Sequence, residues 1–131
     1  MIVLNATGTQ GSVRANNGVG VCGTRYTAAT FASDQYAEAT LDLITGYGGG
    51  VAVRCQSGSA SFYYTYYRGG SSLLYYGRVI NGTQWWSSGL GVALVTGDKL
   101  RLEVTGTGTN TRLTIKTYSG GTWTNRWTDV D

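Results

Sequence analysis

Trp85 and Trp86, together with Tyr63, Tyr67, Tyr75 and Tyr76, are the side chains of this sequence best placed to do chemistry. Indole and phenol rings stack on flat apolar surfaces, the faces of sugar rings among them, while their N–H and O–H groups hydrogen-bond at the rim. Arg54 and Arg68 lie close to these rings in the sequence and would donate hydrogen bonds to hydroxyls or carboxylates. Four Trp, ten Tyr and two Phe are more than the core of a 131-residue chain needs. Trp85 and Trp86 are adjacent, so on a strand they point to opposite faces, and one is expected in the core with the other exposed. The same rings would serve equally well in a contact between subunits, where Tyr, Trp and Arg are enriched.

Catalytic alternatives find little support in the residues. Glu38 and Asp42 share one face of a strand, but four residues of strand hold them about 13 Å apart, whereas glycoside hydrolysis needs carboxyls separated by about 5 to 9.5 Å. They read as charges on a wet sheet face. The chain has no His, hence no Ser-His or Cys-His pair, and no Gly-x-Ser-x-Gly elbow. With only two Cys besides, a structural zinc site lacks ligands. Gly18-Val-Gly20 and Gly106-Thr-Gly108 open no helix and read as turns rather than phosphate loops. Asp98 follows a Gly at a strand entrance, where a carboxylate accepts backbone hydrogen bonds in a turn. Calcium would need several further oxygens there, so no cofactor is assigned.

The elements that must carry these residues are strands. In Ser61-Phe-Tyr-Tyr-Thr-Tyr-Tyr-Arg68, alternation puts Phe62, Tyr64 and Tyr66 on one face and Tyr63, Thr65 and Tyr67 on the other. Both faces are aromatic, so this strand is expected at the centre of its sheet, with one face in the core and the other an interface or the floor of a groove. Thr30 to Thr45 forms a first long strand with Ala37, Ala39, Leu41 and Leu43 inward and Tyr36, Glu38, Thr40 and Asp42 outward. Its two-residue period outweighs the helical preference of Ala and Glu between Asp34 and Leu43. Val51 to Gln56 follows, with Val51, Val53 and Cys55 inward and Arg54 outward. Ser72 to Ile80 and Thr83 to Ser87 pair through Asn81-Gly82, the strongest hairpin signal in the chain. Leu100, Leu102 and Val104, then Leu113 and Ile115, alternate with charged and Thr residues, which gives one dry face and one wet face of opposite charges. Trp123 to Trp127 is the last strand.

Composition agrees. Twenty-one Gly, no Pro and abundant Thr, Tyr, Ser and Val describe an all-β antiparallel two-sheet sandwich or barrel. The chain reads as one domain over 1–131, with irregular N-terminal strands over 1–30 and a sandwich core over 31–131. The net charge is only +3 and the Arg residues are scattered singly, which argues against nucleic acid as a partner. Met1-Ile2-Val3-Leu4 is far too short for a signal peptide core or a membrane span, so neither is expected. The Thr, Ser, Gly and Tyr richness nevertheless fits work outside a cell, and a virion component satisfies both. Cys22 and Cys55 permit one disulfide, but Cys22 alternates opposite Val19 and Val21, so two separate thiols are expected.

The succession Phe31-Ala-Ser-Asp-Gln-Tyr-Ala-Glu-Ala-Thr, Gly50-Val-Ala-Val-Arg54, the Tyr strand, Asn81-Gly82-Thr83, Gly97-Asp98-Lys-Leu-Arg-Leu-Glu-Val-Thr-Gly106 and Leu113-Thr-Ile resembles the concanavalin A-like lectin/glucanase jelly rolls. Its particular likeness is to the laminin-G-like members of phage and bacterial surface proteins. The resemblance covers about Phe31 to Asp129. It implies two stacked curved sheets, with glycan binding or hydrolysis on the concave side where members are active. The glucanase string Glu-x-Asp-x-x-Glu is missing. Such domains begin with an additional N-terminal strand segment and run on into a Gly-rich closing strand, whereas this chain stops at Asp131; either the N-terminal 30 residues fill that place differently or an edge is left open for another chain, and from the open edge a homo-oligomer or part of a larger assembly is expected. The expectation is therefore a non-catalytic recognition or adhesion module on a virion or extracellular surface, with a glycan as partner and without nucleic acid or membrane. Its alternative is a purely structural virion protein, a capsid decoration or tail component, that uses the rings for subunit contacts. A glycoside hydrolase relative is a distant third.

Overall fold

The computed structural model describes residues 32–41, 49–56 and 61–130. Alternating apolar and polar side chains make these residues extended, and the described strands form two antiparallel sheets. The four-stranded sheet runs in the order β1 (Gln35–Thr40), β7 (Lys99–Thr105), β8 (Arg112–Ser119), β9 (Thr122–Val130). The other runs β2 (Gly50–Val53), β3 (Phe62–Arg68), β4 (Leu73–Ile80), β5 (Thr83–Trp86), and β6 (Leu90–Gly91) also pairs with β4. The fold is thus an all-β two-sheet sandwich. The aromatic β3 is central, between β2 and β4. The N-terminal strands expected over 1–30, Cys22 and its relation to Cys55, and Asp42 and Leu43 lie outside the described residues.

The core is the layer that the two-residue period demands. Leu100, Leu102 and Val104 of β7 and Leu113 and Ile115 of β8 are buried against Val51 and Val53 of β2, Tyr67 of β3 and Leu74 of β4. Leu41 joins them, with Ala37 and Ala39 packed alongside. Val92 and Leu94 complete the layer from a segment where the sequence shows no clear alternation. Asp98 closes the turn before β7 as expected: its Oδ2 accepts the Val95 N–H at 2.9 Å, and its own N–H donates to the Val95 carbonyl at 3.0 Å. Asn81 and Gly82 both have positive φ, 49° and 82°, the backbone that a two-residue hairpin turn requires.

Arg54 corrects the expected alternation of β2. It is a non-glycine residue at φ 52°, so the strand ends at Val53 and the following residue turns over. Cys55 consequently packs with Ala52 and Tyr64 on the opposite face from Val51 and Val53. The Arg54 side chain does not reach outward but crosses to the other sheet. Its guanidinium donates to the Ser33 carbonyl at 2.6 Å from Nη2, to Thr111 Oγ1 at 3.3 Å and to the Gly106 carbonyl. A left-handed residue costs roughly 1–2 kcal/mol, and these charge-assisted bonds offset it. Arg54→Ala is expected to lower stability by about 2–3 kcal/mol. Arg54→Gly, which loses the same bonds but relieves the backbone, should be less destabilised by about 1 kcal/mol. Urea denaturation of the pair measures both.

The outer face of the four-stranded sheet carries a chain of ion pairs. Glu38 accepts from Lys99 Nζ at 3.0 Å and Arg101 Nη2 at 2.6 Å, and Glu103 contacts Arg101 at 3.3 Å and Lys116 at 2.7 Å. The Arg101 guanidinium also sits 4.2 Å from the Trp123 ring and 4.9 Å from that of Tyr36. Burial alone would raise the Glu38 pKa, but the hydrogen bonds from Arg101 and Lys99 outweigh it and hold the carboxyl below its ordinary 4.5. A depressed carboxylate stabilises the fold above its unfolded pKa, and that contribution is lost as pH falls through the folded one. Melting temperature should therefore drop below about pH 4.5, and Glu38→Gln should flatten the drop relative to the parent.

Candidate functional site

Cross-strand register sorts the predicted ring platform onto two faces of one sheet. Tyr63 pairs with Arg78 and Arg78 with Trp85, so these three share the inner face, as do Tyr67 and Tyr76. Tyr66 pairs with Tyr75, and Tyr64 with Gly77 and then Trp86, so these share the outer face with Arg68. The expected set therefore does not form one site. Tyr67 is sealed in the core, where its hydroxyl accepts the Leu94 N–H at 3.3 Å. Arg54 is committed to the clasp described above.

Trp85 and Trp86 are both exposed, at 49% and 61%, against the expectation that one would be core. The reason is position: β5 is an edge strand among the described residues, and all four of its residues are exposed on both sides of the sheet. Ser87 ends it. The Ser87 N–H donates to the Tyr76 carbonyl at 2.9 Å and its Oγ accepts the Tyr76 N–H at 3.2 Å, which fixes where the chain leaves β5.

On the inner side Trp85 tilts against Tyr76, centroids 5.6 Å apart, and Tyr76 stacks on Trp127 of the other sheet at 3.5 Å. Three rings thus form a ledge that joins the two sheets at the rim. Arg78 lies 5.8 Å from the Trp85 ring. Asp129 is near enough to add to burial in raising the Tyr76 pKa, so the phenol stays a neutral donor. Trp127 and Arg78 are members that the sequence did not reveal. Trp123 and Trp127, four residues apart, would share a face in a regular strand. A register shift opposite Ile115 and Lys116 leaves Arg126 as an extra residue, which turns Trp127 inward while Trp123 stays outside with Tyr118.

The outer side is a row of phenols. Tyr66 and Tyr75 stack at 4.9 Å with planes 10° apart, Tyr64 and Tyr66 at 6.3 Å, and Phe62 ends the row 5.9 Å from Tyr64. Gly77 lets the Tyr64 ring lie across β4, where its hydroxyl accepts from Gln84 Nε2 at 2.6 Å. Burial raises the Tyr64 pKa, partly offset by that bond. A match for this chain was found among neither protein-family models, curated proteins nor solved structures.

A Cβ added at Gly77 would stand 2.6 Å from Tyr64 Cζ and would also meet the Trp85 carbonyl. Gly77→Ala should therefore displace Tyr64, release Gln84 and cost about 1–3 kcal/mol. Lower denaturant midpoints and faster amide exchange at Gln84 and Trp86 are the expected readouts, and native exchange there would refute the role of Gly77.

Proposed function

We propose that this chain is a non-catalytic recognition or adhesion module of the concanavalin A-like jelly-roll type, exposed on a virion or cell surface, and that it binds a glycan on the Trp85 ledge. The observation that carries this reading is a half-exposed indole held at the rim by Tyr76 and Trp127 rather than buried in the core. An indole in that position offers a flat apolar face to a sugar ring. Around it, the Tyr76 hydroxyl, the Arg78 guanidinium and the Asp129 carboxylate supply the few polar groups that orient a ligand. A rigid ring at an edge also loses little entropy on binding.

A second reading is a structural subunit of a surface or virion assembly. It is favoured by the nine-residue β9, whose outer edge has no paired strand among the described residues. The two readings part in one experiment. On a glycan array, parent protein should bind, Trp85→Ala should lose about thirtyfold or more in affinity, and Trp86→Ala, altered on the other face, should keep most of it. No sugar binding together with copurification in a regular particle would sink the glycan reading in favour of the structural one.

A further inference from the structure

The Trp85 ledge carries opposite charges at its two ends. Arg78 lies over the Trp85 ring at the β5 end, 5.8 Å from its centroid, and makes a further contact of its own. Asp129 stands at the β9 end. It pairs with Leu113 as Trp127 pairs with Ile115, and both partners are core residues, so Asp129 and Trp127 share the inner face about 7 Å apart along the strand. From there Asp129 is near enough to Tyr76 for its charge to add to burial in raising that phenol's pKa.

What sets Asp129 apart is that no cation compensates it among the described residues. Glu38 and Glu103, on the outer face, each hold two cations, whereas Asp34 and Asp98 each accept a backbone N–H of a turn. Asp129 Oδ1 accepts only the N–H of the next residue, Val130, at 2.9 Å, and its Oδ2 has no donor among the described residues. Arg126, the nearest cation in the sequence, is turned elsewhere. Its Nε donates to Thr117 Oγ1 at 2.7 Å, and Thr117 stands about 13 Å along β8 from the Leu113 that pairs with Asp129. The Asp129 carboxylate is exposed. Beside the π faces of Tyr76 and Trp127 it suits a cation, which ring and carboxylate attract together. At contact distance a facing carboxylate outweighs a net +3 spread over the whole chain, which salt screens beyond about 8 Å.

We propose that Asp129 makes the ledge selective for an amino sugar: with one pyranose stacked on Trp85, the ammonium of the neighbouring residue of the oligosaccharide sits against Tyr76 and Trp127 and donates to Asp129 Oδ2. The inference rests on the glycan reading, whose site it shares, and adds the class of saccharide. The order of the rings sets this arrangement: Trp85 meets Tyr76, Tyr76 meets Trp127, and Asp129 shares its strand with the last of them.

Isothermal titration with β-linked oligomers of glucosamine, N-acetylglucosamine and glucose, equal in length and linkage, isolates the amine, because they differ only in the substituent on the second ring carbon. Tetralysine supplies the cation without a sugar. The glucosamine oligomer should bind about tenfold or more tighter than either of the others. Asp129→Asn should bring that ratio to about one and Asp129→Glu should restore most of it, while Trp85→Ala should weaken all the oligomers. Asparagine keeps an acceptor for the Val130 N–H and the position is exposed, so Asp129→Asn should retain the parental melting temperature. Equal binding of the oligomers that needs Trp85 overturns the amino-sugar assignment and leaves the glycan reading standing. A glucosamine preference that persists in Asp129→Asn overturns the role of Asp129. Tetralysine binding as tight as that of the glucosamine oligomer overturns the saccharide assignment. Failure of the glucosamine oligomer to bind also overturns the inference, and the glycan reading falls with it only where the glycan array is empty as well.

Discussion

The sandwich depends on burying one apolar face of each sheet against the other, and the two-residue period of extended backbone decides which side chains take part. Leu100, Leu102, Val104, Leu113 and Ile115 meet Val51, Val53, Tyr67 and Leu74 because each is an alternate residue of its strand. Everything on the intervening positions is then displaced outward, whatever its chemistry. The charged residues of β7 and β8 become a paired lattice, and the Tyr residues of β3 and β4 become a stacked row. Hydrophobic burial is non-directional and sets no angle between the sheets. Arg54 supplies direction at one end, since its donors meet carbonyls and a hydroxyl of the opposite sheet at fixed positions.

Binding capacity follows from where that layer ends. At β5 the inner face runs out of core, and Trp85, which would be buried one strand further in, becomes part of a ledge with Tyr76 and Trp127. The extra residue at Arg126 contributes as much as the rings do, because it redirects Trp127 across the rim. Glycine acts in the complementary sense. Gly77 removes the one side chain that would keep Tyr64 from lying flat and reaching Gln84.

Charge adds a second asymmetry. Opposite charges on the four-stranded sheet neutralise one another at contact distance, so that face offers little net field. The five-stranded sheet has cations alone among its strand residues, beside rings that exclude water.

By itself the amino-acid sequence determined the fold class, the central place of Phe62 to Arg68, the Asn81-Gly82 turn, the turn role of Asp98 and the wet and dry faces of Lys99 to Thr105. All of these rest on local rules: alternation, turn conformation and strand composition. Tertiary structure alone decided the rest. Whether adjacent Trp85 and Trp86 are buried depends on β5 being an edge, which no local pattern encodes. Arg54 became a clasp because one left-handed residue aimed it at the other sheet, and the same turn sent Cys55 to the face of Ala52. Trp127 reached Tyr76 through a bulge, whose single extra residue reverses a period-two reading from that point on. The division of the platform into a ledge and a phenol row likewise required strand register, because sequence separation does not reveal which residues of neighbouring strands stand side by side.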